Sequence, residues 1–247
     1  MDKNYYLEYY ELERNNWWFR ARQEIIRTQI IKLTQGKPNI NILNVGVATG
    51  ASSIMLAEFG KVKSIEFDTD CFEFVKEKLD IDIEQGSVLE LQFESNTFDL
   101  VCAFDVIEHV ENDELAAIEM MRVCKPGGFV FVTVPAFMSL YGKHDIVNHH
   151  FRRYQSDGLK KLFSEKGSLI YNTYFNAVLF IPIFLVRMFN KLVPGVLKSK
   201  GSGSDFGMIQ SKLLDRLFYK IFMMENNPLK KGFKFPFGVS AMLIWKK

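Results

Sequence analysis

Between residues 40 and 135 the chain alternates short apolar runs of strand length with segments of helical period, and this alternation is its strongest constraint on fold. Ile40–Val45 predicts a buried strand, Gly46–Gly50 a tight turn, Ala51–Phe59 a helix and Val62–Phe67 a second strand. The pattern continues as helix Asp70–Leu79, a strand near Ile81–Glu84, strand Phe98–Phe104, helix Asp113–Val123, a turn over Lys125-Pro126-Gly127-Gly128 and strand Phe129–Pro135. Parallel neighbours need a crossover, and helices of this length supply one. The reading is an α/β chain with a mostly parallel, doubly covered, Rossmann-like sheet.

The flanks obey other rules. Residues 5–33 place Trp17, Trp18, Phe19, Ile25, Ile26, Ile30 and Ile31 at helical spacing before a Gly36-Lys37-Pro38 stop, which predicts one or two N-terminal helices that pack their apolar side on another part of the chain. After the central alternation come a polar loop, Ala136–Gln155, a helix opened by Ser156 as N-cap and closed by Gly167, and a strand around Leu169–Phe175. The last strand is read at Gly238–Trp245, after two apolar helices near Asn176–Val193 and Met208–Met224 joined by the Gly-Ser-Gly-Ser at 201–204. One domain over 1–247 accounts for this order: a helical cap at 1–37, a core at 38–175, a helical insertion at 176–237 and a final strand at 238–247.

Composition narrows the function classes. With 48% hydrophobic and 24% charged residues over 247, a disordered, collagen-like or coiled-coil chain is excluded. Three cysteines without CxxC spacing argue against a disulfide framework or a cysteine zinc site, and fit a reducing cytoplasm. The N-terminus lacks the basic and apolar regions of a signal peptide. The longest uncharged apolar stretch, Ala177–Val186, is broken by Pro182 and falls short of the roughly 18 residues that read as a spanning helix. Net charge is only +2, which asks for no nucleic acid, but it divides into −10 over residues 1–150 and +12 over 151–247, where twelve of the 23 Phe also lie. An anionic, partly apolar partner is expected on the second half, and Ala177–Phe189 reads either as a buried helix or as a membrane-surface helix making peripheral contact, for which the following Arg187, Lys191 and Lys198 would suit anionic headgroups.

Chemistry first shows at Asn44-Val45-Gly46-Val47-Ala48-Thr49-Gly50. Glycines there let the backbone approach a ligand, and Glu66, 20 residues after Gly46, stands where an acid grips a ribose diol in a nucleotide-binding unit. A dinucleotide fingerprint wants G-x-G-x-x-G; this turn lacks the glycine that makes room for a pyrophosphate, so a nicotinamide-dependent oxidoreductase ranks third. The chain instead resembles the class I S-adenosylmethionine-dependent methyltransferases, whose first motif is an acid followed by x-G-x-G-x-G. Gly46 and Gly50 match the first and third glycines, Asn44 stands for the acid and Ala48 for the middle glycine. Phe98-Asp99-Leu100-Val101 and Lys125-Pro126-Gly127-Gly128 look like the later strand motifs. The resemblance implies S-adenosylmethionine as cofactor, with Asn44 toward the methionine ammonium, Gly46, Ala48 and Gly50 around the methionine portion, Phe67 against the adenine, Ser87 where relatives place an acid for the adenine amino group, and Asp105 beside the cofactor. A narrower resemblance, carried by W-W-F-x-A-R at 17–22, D-V-I-E-H-V at 105–110, H-D-x-V-x-x-H-F-R-R-Y at 144–154 and P-F-G-V-S at 236–240, is to a bacterial group related to ubiquinone-pathway methyltransferases.

Methyl transfer from a sulfonium needs alignment and, for an alcohol or phenol acceptor, a base. Two clusters offer one. Asp105, Glu108 and His109, read as the first turn of a helix, share one face with metal-ligand spacing, although helix capping and packing beside the cofactor is the favoured reading and no metal is expected. The second cluster is His144, Asp145, His149, His150, Arg152, Arg153 and Tyr154: a histidine beside a carboxylate for the base, with His150 preferred, and two arginines to clamp an anionic group. Arg152, Arg153, Tyr154 and Trp18 are the acceptor-binding candidates, with Trp17-Trp18-Phe19 otherwise read as core or lid. The expectation is a methyltransferase acting on a small or lipid- or glycan-linked acceptor, at oxygen. A non-catalytic cofactor-binding or docking module is the alternative, with Asn44, Ala48 and Ser87 as signs of decay.

Overall fold

A computed structural model describes residues 3–37, 39–165, 167–192 and 211–247. Seven strands form one sheet in the order β3-β2-β1-β4-β5-β7-β6. They are β1 (Ile40–Val45), β2 (Gly60–Glu66), β3 (Ile83–Gln85), β4 (Phe98–Phe104), β5 (Cys124–Pro135), β6 (Ser168–Phe175) and β7 (Ser240–Lys246). Pairings from β3 across to β5 are parallel, and β7 runs antiparallel to both β5 and β6. The order reverses between β1 and β4, and a crevice outside the carboxyl ends of the strands at such a switch point is where open α/β sheets bind ligands.

Successive side chains on a strand face opposite ways, and the two cores follow that period. Leu43, Val45, Val101 and Ala103 enter one core with Met120 of α5 (Asp113–Val123) and Leu159 of α7 (Ser156–Leu162). Ile42, Leu100 and Cys102 enter the other with Ile25, Ile26 and Ile30 of α2 (Trp17–Thr34) and Phe222 of α9 (Lys212–Met223). With both faces covered, the central strands have no polar side to show. This is why they read as continuous apolar runs.

Short helices α3 (Ala51–Leu56) and α4 (Thr69–Lys78) complete the first crossovers, and α1 (Lys3–Asn15) lies over them. The predicted helix after the glycine turn ends three residues early, and the last strand starts two residues late, at Ser240. Ser156 is not a cap. It is the first residue of α7, Gln155 holds the cap position, and the Ser156 hydroxyl accepts from Asn172 Nδ2 of β6 at 2.7 Å, which ties the helix to the sheet. The predicted polar loop Ala136–Gln155 contains a 3₁₀ turn at Met138–Leu140 and helix α6 (Lys143–Val147). The insertion holds α8 (Phe180–Leu192), α9 and a further short helix, α10 (Asn226–Lys230); the Gly-Ser-Gly-Ser at 201–204 lies outside the described residues, as do the side chain of Lys191 and all of Lys198. Among the described residues no helix is long and apolar enough to cross a membrane.

Candidate active site

The turn after β1 holds three residues in the left-handed region: Gly46 (φ 71°), Ala48 (φ 48°) and Gly50 (φ 88°). A Cβ on Gly46 would lie 2.5 Å from Val106 Cγ2, so glycine is what lets this turn pack on the end of β4. Glu66, at the end of β2, lays its carboxylate on the loop: one oxygen accepts from Val47 N at 2.9 Å and Ala48 N at 3.2 Å, the other from Phe67 N and Asp68 N. Phe67 stands beside it, 76% exposed. Ser87, just past β3, is half-buried with its hydroxyl accepting from Leu89 N. Helix α1 covers the loop from outside. Thr49 Oγ1 donates to Glu13, Arg14 donates to the Thr49 carbonyl at 3.1 Å, and Tyr6 donates to Asp68 at 2.8 Å.

Asn44 is fully buried, and its amide donates to Ser52 and Ser53 hydroxyls at 2.9 Å, which bolts β1 to α3, while its Oδ1 has no hydrogen-bond partner.

The end of β4 carries the second part. Asp105 adopts φ 57°, a strained conformation for a residue with a Cβ, and its carboxylate is held by Arg22 at 2.8 Å. Arg22 also donates to Thr133 at 2.6 Å, while its buried Nε has no hydrogen-bond partner. The predicted shared helical face does not form: Ile107–His109 is a single 3₁₀ turn, and Asp105 is committed to Arg22. His150 takes its place, because Glu108, His109 and His150 each bring one ligand atom within 4.8 Å of the others. Both Glu108 oxygens are buried without a partner, and burial, then the Asp105 charge, pushes its carboxyl well above the usual range. One carboxyl and two imidazoles can hold a divalent transition ion or pass a proton among themselves. His109 keeps an exposed edge, yet burial of the rest of the ring, with His150 next to it, pushes its pKa down to about 4.

The third part is the loop after β5. Asp145 of α6 is fully buried and accepts from His150 Nδ1 at 2.8 Å, Arg153 Nε at 2.7 Å and Gly142 N at 2.8 Å. Burial works against this carboxylate, but the His150 and Arg153 bonds outweigh it and hold its pKa below the usual range. Tyr141 donates to the His150 carbonyl at 2.8 Å, and Phe151 N donates to the Glu108 carbonyl at 2.8 Å, so the loop is pinned to the end of β4. The His109 and His150 rings lie 4.5 Å apart, edge to face; His144 is farther, at 5.9 Å.

The arginine clamp is not built as predicted. Arg153 is buried, with Nη1 on the Ala136 carbonyl and Nε on Asp145, and it braces the loop. Arg152 pairs with Asp113 at 2.7 Å and with the Glu111 carbonyl, and the Tyr154 hydroxyl donates to Asp113 at 2.7 Å. Trp18 packs partly buried against the second core, in edge contact with Phe19, so it serves packing. Arg187 also turns inward, donating to the Leu140 carbonyl with its guanidinium 3.8 Å from Asp145, away from the headgroups proposed for it. Sequence reasoning passed over Glu13, Arg22 and Thr133, and gave Arg187 a different role. Arg22 had a signal, as the last residue of W-W-F-x-A-R; the others had none, because their partners are distant in sequence.

Comparison with known proteins agrees with the fold. Residues 43–132 match the model of a methyltransferase domain. A Mycolicibacterium smegmatis protein named "Probable S-adenosylmethionine-dependent methyltransferase" is 28% identical over 126 residues, 50% of this chain and 48% of the relative. A Staphylococcus aureus demethylmenaquinone methyltransferase is 30% identical over 141 residues, 51% of this chain and 58% of the relative. The match thus spans about half the length of these relatives. Among solved structures, an S-adenosylmethionine-dependent methyltransferase from Archaeoglobus fulgidus superposes with TM-score 0.61 at 14% identity, covering 98% of this chain and all of the other. The [4+2]-cyclase SpnF superposes with TM-score 0.60 at 16% identity, over 93% and 83%. These two likenesses are of fold, which hosts more than one reaction. The glycine cradle, the acid at the end of β2 and the unpartnered Nε of Arg22 beside Asp105 fit a cofactor with a ribose diol and a carboxylate, and the matched segment, residues 43–132, is a methyltransferase domain similar to those of S-adenosylmethionine-dependent methyltransferases, quinone-pathway enzymes among them.

Proposed function

We propose that the protein transfers the methyl group of S-adenosylmethionine to an oxygen of a small or lipid- or glycan-linked acceptor, with His150 as general base. The observation that carries this is the Asp145–His150 pair, 2.8 Å apart, pinned next to the end of β4 and so to the glycine loop that packs on Val106. The bound cofactor supplies an electrophilic methyl carbon on a sulfonium. The Asp145 carboxylate accepts a hydrogen bond from His150 Nδ1–H, which fixes the tautomer and leaves Nε2 as the nitrogen able to accept a hydroxyl proton. Tyr141 and the His109 ring fix where that nitrogen points. Gly46, Ala48 and Gly50 bring backbone close to the methionine portion, Glu66 holds the ribose, Phe67 and Ser87 border the adenine, and Arg22 offers its spare donor to the methionine carboxylate. Asp105 keeps Arg22 at that place. Arg152, with its guanidinium partly exposed, remains the acceptor-side cation.

Calorimetry and thermal shift with S-adenosylhomocysteine test the cofactor half, with NAD as control. S-adenosylhomocysteine is expected to raise the unfolding midpoint and NAD to leave it unmoved. No response to S-adenosylhomocysteine ends the proposal, and a response to NAD alone returns the chain to hydride transfer.

A further inference from the structure

We propose that the outward face of α9 docks the protein on an anionic lipid surface. The helix divides by chemistry. Its inner side places Phe218 and Phe222 against Trp17, with ring centroids at 5.3 and 6.3 Å, and Tyr219 under the Arg20 guanidinium. Its outer side exposes Leu213 (77%), Leu217 (50%) and, one residue past its end, Met224 (67%), at positions i, i+4 and i+11 of one face. Lys212, Arg216 and Lys220 are exposed among them.

Charge selects the occupant. Asp215, the sole acid of α9, is turned inward, accepting from Trp17 N at 2.8 Å and facing Arg20 at 3.6 Å. Glu225, just after the helix, is buried and accepts from Val178 N at 2.8 Å. Among the described residues, both carboxylates on or next to the helix are used inside, so its outer face pairs leucines with three cations and no anion. A soluble partner groove would reward the leucines alone; a leaflet with anionic headgroups rewards both, burying the leucines at the acyl boundary while the cations stay at the phosphates. The neighbouring α8 adds exposed Ile181 and Leu185 but no outward cation among its described side chains, since Arg187 faces Asp145. The inference does not rest on methyl transfer, because binding to lipid is measured without cofactor.

The test is co-sedimentation of the full chain with phosphatidylcholine vesicles containing about 30% phosphatidylglycerol, against pure phosphatidylcholine. Partition is expected on the anionic vesicles, to fall at high salt, and to weaken about fivefold for each of Arg216→Ala and Lys220→Ala. Leu217→Ser should weaken it further. Thermal unfolding of each variant, all altered at exposed positions, reports whether the fold is intact. Equal partition of the Arg216→Ala/Lys220→Ala double variant and the parent overturns the proposal. So does partition indifferent to phosphatidylglycerol, or self-association through this face without vesicle binding.

Discussion

The glycine loop and the histidine loop both close the carboxyl end of the sheet, yet they are built in opposite ways. The first is a local device. Asn44, Gly46, Gly50 and Glu66 lie within one βαβ unit, and the bonds that shape it run between Glu66 and the backbone of Val47, Ala48 and Phe67, all close to that unit. The second gathers Glu108 and His109 from the end of β4, Asp145 and His150 from the loop after β5, and Arg187 from the insertion. A local loop is set by backbone conformation and is damaged by adding a Cβ. A gathered site is set by buried charge, and it is damaged by removing one partner or by changing pH.

Replacing His150 is expected to have the largest effect. His150→Ala should slow transfer by about 10²–10⁴-fold, the usual worth of a positioned base, with the dissociation constant of S-adenosylhomocysteine unchanged. Equal loss of rate and cofactor affinity would make the two loops a single unit. The converse variant is Gly46→Ala. A positive φ and a Cβ at 2.5 Å from Val106 should cost about 1–3 kcal/mol and weaken S-adenosylhomocysteine roughly tenfold by calorimetry, and undiminished affinity would remove the loop from the cofactor site.

The smallest effect is the pH dependence of stability, which belongs to the histidine loop. His109, held near 4, contributes stability that is present above its ordinary value of about 6.5 and is lost as pH falls between the two. Asp145, held low, adds a second loss below about 3.9. Glu108 has the opposite sign: its raised pKa favours the fold at low pH and weakens it as pH rises past about 4.3. Glu108→Gln should therefore raise the unfolding midpoint at neutral pH by a few °C and leave it nearly unmoved below about pH 4. A lowered midpoint at neutral pH would mean that the ionised carboxylate has a partner.

Much of the fold was legible because burial on both faces forces apolar runs, and parallel pairing forces helices between them. Helix α5 and strands β1 and β4 fall where their periodicity places them. The loop before Ser156 was read as unstructured because α6 has only five residues, too few to show a period. The glycine spacing and Glu66 were equally plain. The bonds from the Asn44 amide to Ser52 and Ser53 were not legible, because a position in a motif says nothing about which hydroxyls the fold brings to it.

By itself, then, the sequence determined the sheet, the order of its crossovers, the glycine turn with the acid 20 residues beyond it, and a basic second half, since each depends on neighbours close along the chain. Only the tertiary structure decided which charges are spoken for. It took Arg153, Arg187 and Asp215 inward, released Arg216 and Lys220 outward, and brought Glu108 to His150 in place of Asp105. A charged side chain's role is set by the nearest opposite charge in space, and in a buried network that partner can come from anywhere in the chain.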